Sequence, residues 1–161
     1  MTPRTRAASV ATFGAVCVAM IGGLATEIGP WYLGLKQPPW KPPDVWFGPA
    51  WSVIYACTAA ACALAWLHAP TRAARRGVLL ATLLNAVLNV VWSLTFFRFR
   101  RPDWALAEVL ALWLSIVLMM AVFARHSRLG ALLLLPYLAW VGFAGALNAA
   151  VVQLNGPFGK A

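Results

Sequence analysis

Charge is what this sequence has least of. Only 11% of its 161 residues are Asp, Glu, Lys or Arg, against roughly a quarter in an ordinary soluble domain, and just four of these are acidic. The usual catalytic constellations are missing as well: there is no Ser-His-Asp set, no ligand cluster with metal-type spacing and no glycine loop for phosphate. No metal is expected. Cys17, Cys57 and Cys62 stand alone within apolar stretches, which makes them small packing residues. His68 and His126 lie beside arginines at the ends of such stretches and read as interfacial.

Long apolar runs are what the chain has instead. Cutting the sequence at its ionised residues leaves Ala7 to Thr26, Val45 to Leu67, Gly77 to Phe97 and Leu129 to Asn155, each long enough for the ~20 residues of a bilayer-spanning helix. A fifth run, Trp104 to Ala124, is interrupted only by Glu108 near its start. The expectation is an all-α integral membrane protein, one domain over 1–161, with spans at about 7–27, 45–67, 76–97, 104–124 and 129–154. The first run follows Arg4 and Arg6 and precedes small residues, yet it exceeds the ~7–15 apolar residues of a signal-peptide core, so it is read as a span.

The net charge of +9 comes from basic residues clustered between the runs: Arg72, Arg75 and Arg76; Arg98, Arg100 and Arg101; Arg125 and Arg128. Short clusters that hug span boundaries fit phospholipid headgroups, not nucleic acid. With five spans, the side of the N-terminus holds Arg4, Arg6, Arg72, Arg75, Arg76, Arg125 and Arg128. The other side holds Lys36, Lys41, Arg98, Arg100, Arg101 and Lys160. That near-equality leaves orientation open under the positive-inside rule.

Most connections are short and force successive helices to be antiparallel neighbours. The exception is Glu27 to Asp44, EIGPWYLGLKQPPWKPPD, which is rich in proline and aromatic residues. Proline cannot continue a helix, and disordered segments are poor in aromatics, so an ordered loop over the mouth of the bundle is expected.

Nine tryptophans remain: Trp31, Trp40, Trp46, Trp51, Trp66, Trp92, Trp104, Trp113 and Trp140. Trp31, Trp46, Trp66 and Trp104, at span ends, fit an interfacial aromatic belt. Trp51, Trp92 and Trp140 lie inside spans, where an indole N–H needs a partner. Asn85 and Asn89 form an i, i+4 pair, with Trp92 and Ser93 on much the same side, and Asn148 shares a face with Trp140. Amides left unpaired in hydrocarbon are costly, so these faces should point inward. They serve either to hydrogen-bond helix to helix or to line a cavity of aromatic planes with a few polar groups, as suits a flat organic ligand.

Motifs along nearly the whole chain resemble the TspO/MBR family, also called tryptophan-rich sensory proteins, translocator proteins or peripheral-type benzodiazepine receptors. Trp31-Tyr32, Pro38-Pro39-Trp40-Lys41-Pro42-Pro43 and Trp46-Phe47-Gly48-Pro49-Ala50-Trp51 with Tyr55 look like its first loop and second helix. Leu84-Asn85, Asn89 and Trp92-Ser93 with Phe96-Phe97 look like its third helix, and Ala107-Glu108 with Leu112-Trp113 like its fourth. Pro136-Tyr137-Leu138-Ala139-Trp140 with Leu147-Asn148 looks like its fifth.

The resemblance implies a homodimeric bundle of five transmembrane helices that binds porphyrins such as protoporphyrin IX beneath the first loop and needs no cofactor. The implied ligand contacts are Tyr32, Trp40, Pro42, Pro43, Phe47, Trp51, Asn85, Asn89, Trp92, Trp140, Phe143 and Asn148. Lys36 or Lys41 would meet propionates at the mouth. A sterol is disfavoured, because Tyr137 is not followed within about five residues by a base, although such patterns are weak. The implied role is a porphyrin sensor, regulator or transporter in contact with membrane lipids. Some relatives degrade porphyrin in light and oxygen, which would use Trp51 and Trp140 and make the protein an enzyme. A third reading is a proton-coupled exporter with Glu108 as the titrating group, since an intramembrane carboxylate is a functional candidate by default. All-helical spans favour a bacterial inner membrane, and the family also permits an outer one.

Overall fold

A computed structural model describes residues 2–159; Lys160, counted above among the basic residues, lies outside them. Five apolar helices are long enough to cross a bilayer. The chain runs α1 (Pro3–Ala25), α2 (Pro30–Leu33), a 3-10 turn (Asp44–Trp46), α3 (Phe47–His68) and α4 (Arg72–Ser93). A π turn (Leu94–Arg98), α5 (Pro102–Ala124), α6 (Arg128–Leu132) and α7 (Leu135–Asn155) follow. Large side chains such as Phe13, Leu24, Leu84, Val87, Leu110 and Leu114 face outward, where hydrocarbon is their solvent and exposure costs nothing.

Local chemistry sets the helix ends. Thr2, Thr71 and Ser127 cap α1, α4 and α6 by accepting from Thr5 N (3.2 Å), Ala74 N (3.1 Å) and Gly130 N (3.0 Å). Proline occupies the first turn of α1, α2, α5 and α7, where its missing N–H has no partner to lose. Within 129–154, expected as one span, the chain breaks between Leu132 and Leu135. Pro136 is the cause: its ring clashes with the carbonyl four residues back, on Leu132, and α6 stops there. The third span gains a π turn at its end, which re-aims Phe96 and Phe97.

Small residues let the helices close. Ala61, Ala65 and Ala105 are fully buried, and a Cβ on Gly130 would sit 3.1 Å from the carbonyl oxygen of Ala61. Of the other glycines at helix contacts, Gly145 faces Val109, Gly142 faces the Trp113 indole and Gly22 faces Tyr55 and Asn89, whereas Gly14 meets nothing. Paired cations and indoles mark the ends of the bundle: Arg101 lies over Trp104 at 4.1 Å, Arg75 over Trp66 at 5.7 Å and Arg100 over Trp31 at 5.9 Å. Trp46 and Trp104 are 62% and 59% exposed, as belt residues are.

The interior is polar at chosen points. Asn89 Nδ2 donates to Tyr137 Oη (3.0 Å) and Asn89 Oδ1 accepts from Tyr55 Oη (3.2 Å), which ties α4 to α7 and α3. Asn85 Nδ2 donates to Ser115 Oγ on α5 (2.8 Å). Asn148, 1% exposed, with its amide turned so that both atoms find partners, donates through Nδ2 to Pro102 O (3.1 Å) and accepts through Oδ1 from Leu106 N (2.9 Å), which pins α7 to the first turn of α5. Cys62 Sγ lies 3.5 Å from Thr82 Oγ1 between α3 and α4. Asn89→Leu removes both tyrosine partners and is expected to cost about 1–3 kcal/mol, read as a lower melting temperature in detergent. Tyr55→Phe, which breaks one bond, should cost less. An Asn89→Leu protein that melts with the wild type would show that this residue does not hold the three helices.

Candidate functional site

Between α1 and α3 the chain does not hang free. Lys36 N donates to Asn155 Oδ1 (2.7 Å), and Asn155 Nδ2 donates back to Lys36 O (2.9 Å), so the segment is tied to the end of α7. Asp44 holds its other half, accepting from Tyr32 Oη at 3.0 Å and pairing with the Lys41 ammonium. Glu27 and Arg98 approach to 3.6 Å, but both are exposed and such a pair contributes little.

Burial raises the Tyr32 hydroxyl above the ordinary tyrosine range. For Lys41 burial pulls the other way, but its bonds with Asp44 and Tyr32 outweigh that, and its pKa is raised. Both groups therefore keep their protons at physiological pH. Their contribution to the fold is complete below the ordinary lysine and tyrosine values, and it is lost only as pH climbs through the raised ones.

Aromatic rings from this segment meet rings from the bundle in two clusters. In the first, Trp40 packs edge-on against Phe143 (5.8 Å between centroids) and Phe47 edge-on against Trp140 (5.4 Å), while Trp140 and Phe143 meet at a tilt (5.6 Å). Trp51 stacks on Tyr55 (5.4 Å) and meets Tyr137 edge-on (6.0 Å). In the second, Tyr32 meets Phe97 (5.5 Å), Trp92 stacks on Phe96 (5.4 Å) and Trp31 touches Phe96 (6.2 Å). Lys41 Nζ stands between them, 5.6 Å from the Tyr32 ring centre and 5.9 Å from that of Phe47.

The residues singled out from the sequence divide accordingly. Trp40, Phe47, Trp140 and Phe143 come together, Trp51 packs instead on Tyr55 and Tyr137, and Tyr32 and Trp92 belong to the second cluster. Pro42 and Pro43 lie in the segment between Lys41 and Asp44, half-buried and exposed respectively. Asn85, Asn89 and Asn148 are buried, and their amides are bonded within the bundle. Tyr55, Tyr137 and Asp44 were not among those residues, although Tyr55 follows Trp51 by one turn and Tyr137 precedes Trp140 by nearly one, spacing that flags a shared face. Lys41 is engaged by Asp44, whereas the side chain of Lys36 is exposed and makes no ion pair among the described residues.

An open groove of about 270 Å³ lies elsewhere, on the flank of α5 and α7, lined by residues such as Leu106, Val109, Trp113, Gly142 and Gly145 and by none of those singled out above.

Five apolar helices with inward-turned amides and a tethered aromatic segment define a multi-pass integral membrane protein. The chain belongs to the TspO/MBR family, whose sequence pattern matches residues 9–154. It is 36% identical over 131 residues to the tryptophan-rich protein TspO of Archaeoglobus fulgidus, covering 81% of this chain and 84% of that one. It is 38% identical over 129 residues to the tryptophan-rich protein TspO of Chlorobaculum tepidum, covering 78% and 79%. The human translocator protein is 33% identical over 126 residues, covering 78% of this chain and 75% of its own.

Because Asp44 holds both Tyr32 and Lys41, Asp44→Ala should loosen the segment and speed tryptic cleavage after Lys36 several-fold in nanodiscs. An unchanged rate would mean that the tie to Asn155 alone secures it.

Proposed function

We propose that this protein binds a flat tetrapyrrole such as protoporphyrin IX between the tethered segment, α3 and α7, and that it acts as a membrane sensor, regulator or transporter of that ligand. The observation that carries the reading is the first aromatic cluster, in which Trp40 and Phe47 from one side meet Trp140 and Phe143 from the other. Ring faces contributed by separate elements become a stacking site when a planar ligand parts them. The segment that carries Trp40 is held by a few polar ties, so its displacement costs less than opening the helix bundle. Lys41, whose ammonium lies 5.9 Å from the centre of the Phe47 ring, or the exposed Lys36 would take the propionates. The family supports this reading, and the name of the human relative, translocator protein, agrees with a transport role.

In this proposal the asparagines act differently from the rings. Asn85, Asn89 and Asn148 hold the helices that present the aromatic faces, and ligand contact falls to Tyr32, Trp40, Pro42, Pro43, Phe47, Trp51, Trp92, Trp140 and Phe143. A second reading, light-driven oxidative breakdown of the bound porphyrin, is favoured by the placement of Trp51 and Trp140. Trp51 touches Tyr55 and Tyr137 and Trp140 touches Phe47 and Phe143, so an indole radical at either would form beside further aromatic rings.

Quenching of tryptophan fluorescence by protoporphyrin IX in nanodiscs should saturate. Phe47→Ala and Phe143→Ala should each weaken it several-fold, the loss expected for a stacking contact of about 0.5–1.5 kcal/mol beyond area burial. Arg4→Ala, at the far end of α1, should leave it unchanged. Quenching that never saturates, or that ignores both phenylalanines, would mean that the porphyrin merely dissolves in the bilayer. Under illumination, loss of porphyrin absorbance in wild type but not in Trp51→Phe or Trp140→Phe, with binding retained, would select the breakdown reading. A stable spectrum would dismiss it.

A further inference from the structure

Among the described residues four side chains carry a buried polar atom without a partner, Gln37, Thr58, Trp92 and Glu108, and the last two complement each other. Trp92 Nε1, a donor, is buried without an acceptor; Glu108 Oε1 and Oε2, both acceptors, are buried without a donor. The other polar groups of α4 and α5 nearby are bonded, as the Asn85–Ser115 and Asn89–Tyr137 pairs show. Leaving a buried donor or carboxylate unbonded costs far more than a hydrogen bond returns, so an isolated pair of such groups marks a place where something binds.

Register puts the two at one level. Asn85 on α4 meets Ser115 on α5, and these helices are antiparallel neighbours. Two turns forward along α4 is Trp92, and two turns back along α5 is Glu108. Packing agrees with register. Trp92 packs against both apolar clusters of the bundle, and these include Ala105 and Leu112, about a turn before and after Glu108, and its neighbour Val109. The level lies near the end of the bundle that the tethered segment covers. Phe96 and Phe97, the rings on Trp92, continue from it to Trp31 and Tyr32.

We infer that Trp92 and Glu108 form a two-point polar subsite for a flat ligand edge that carries an N–H beside a C=O, as in a lactam or secondary amide. The carbonyl accepts from the Trp92 indole and the N–H donates to the Glu108 carboxylate. One planar group thus satisfies both side chains, with Phe96 and Phe97 supplying its apolar flanks. A simple cation at Glu108 would leave the indole unbonded. This subsite deepens the reading of the bundle as a binder of flat ligands and rests on it; it shares Trp92 with the proposed porphyrin contacts, whereas Glu108 belongs to it alone. Glu108→Met therefore separates the two, since it should remove discrimination of the lactam and leave porphyrin binding in place.

The test uses the full chain in nanodiscs with indole-¹⁵N tryptophan and two probes, 2-quinolone and N-methyl-2-quinolone, which differ by the one donor hydrogen. The subsite predicts that 2-quinolone shifts the Trp92 indole resonance saturably. It also predicts that the N-methyl compound binds about tenfold more weakly, the consequence of losing one buried hydrogen bond. Trp92→Phe, which keeps a ring, and Glu108→Met, which keeps the volume, should each abolish the discrimination; 2-quinolone binding to the phenylalanine variant is followed by ligand fluorescence. Equal affinity of the wild type for both probes would overturn the subsite, as would discrimination that survives both substitutions. Failure of protoporphyrin IX to bind a protein that still discriminates the quinolones would sink the porphyrin reading and leave the subsite standing.

Discussion

A carboxamide in hydrocarbon must find its hydrogen bonds within the protein, and Asn89 finds two on other helices, one on the Tyr55 hydroxyl of α3 and one on the Tyr137 hydroxyl of α7. That requirement fixes more than one contact. It sets the rotation of α4, which brings Asn85 onto Ser115 of α5, and it places Tyr55 and Tyr137 where both touch the Trp51 ring. The packing that holds the helices together and the aromatic surface at one end of the bundle therefore share the same tyrosines. Hydrophobic burial cannot supply such a restraint in a membrane, since lipid tails are as apolar as leucine. Small residues and buried amides do so instead, with Ala61, Ala65, Ala105 and Gly130 at the close contacts.

Above this frame the segment between α1 and α3 is attached differently. Few of its side chains reach the core. It is held by the reciprocal Lys36–Asn155 bonds and by Asp44, and Trp40 is still 49% exposed while its ring meets Phe143. A rigid amide-bonded bundle beneath a lightly tethered aromatic cover has the mechanical properties a ligand site needs: defined walls and one part able to move.

Much of this was legible in the sequence, for identifiable reasons. Apolar runs of span length follow from bilayer thickness, so five helices could be read from the spacing of charges alone. The i, i+4 spacing of Asn85 and Asn89 predicted one inward face, and both are buried. What could not be read depended on partners or on backbone detail. Nothing in the sequence says that Asn148 bonds to the first turn of α5 or that Asp44 takes both Tyr32 and Lys41. The π turn at Leu94–Arg98 leaves no mark in an apolar run. The break before Leu135 is foreshadowed by Pro136, but the run of leucines from Leu132 to Leu135 that crosses it masks it. Trp92 and Glu108 are conspicuous singly, and only the register of α4 against α5 makes them a pair.

The central claim is that a flat ligand parts Trp40 and Phe47 from Trp140 and Phe143. Hydrogen exchange of the protein in nanodiscs, with and without saturating protoporphyrin IX, tests it most directly. The account predicts that altered exchange is confined to residues 34–51, the start of α3 included, and to the stretch of α7 around Trp140 and Phe143, with α1 before Gly14 and the α5–α6 turn unchanged. Exchange that is unaltered in residues 34–51, or altered only along the outer groove of α5 and α7, would contradict it.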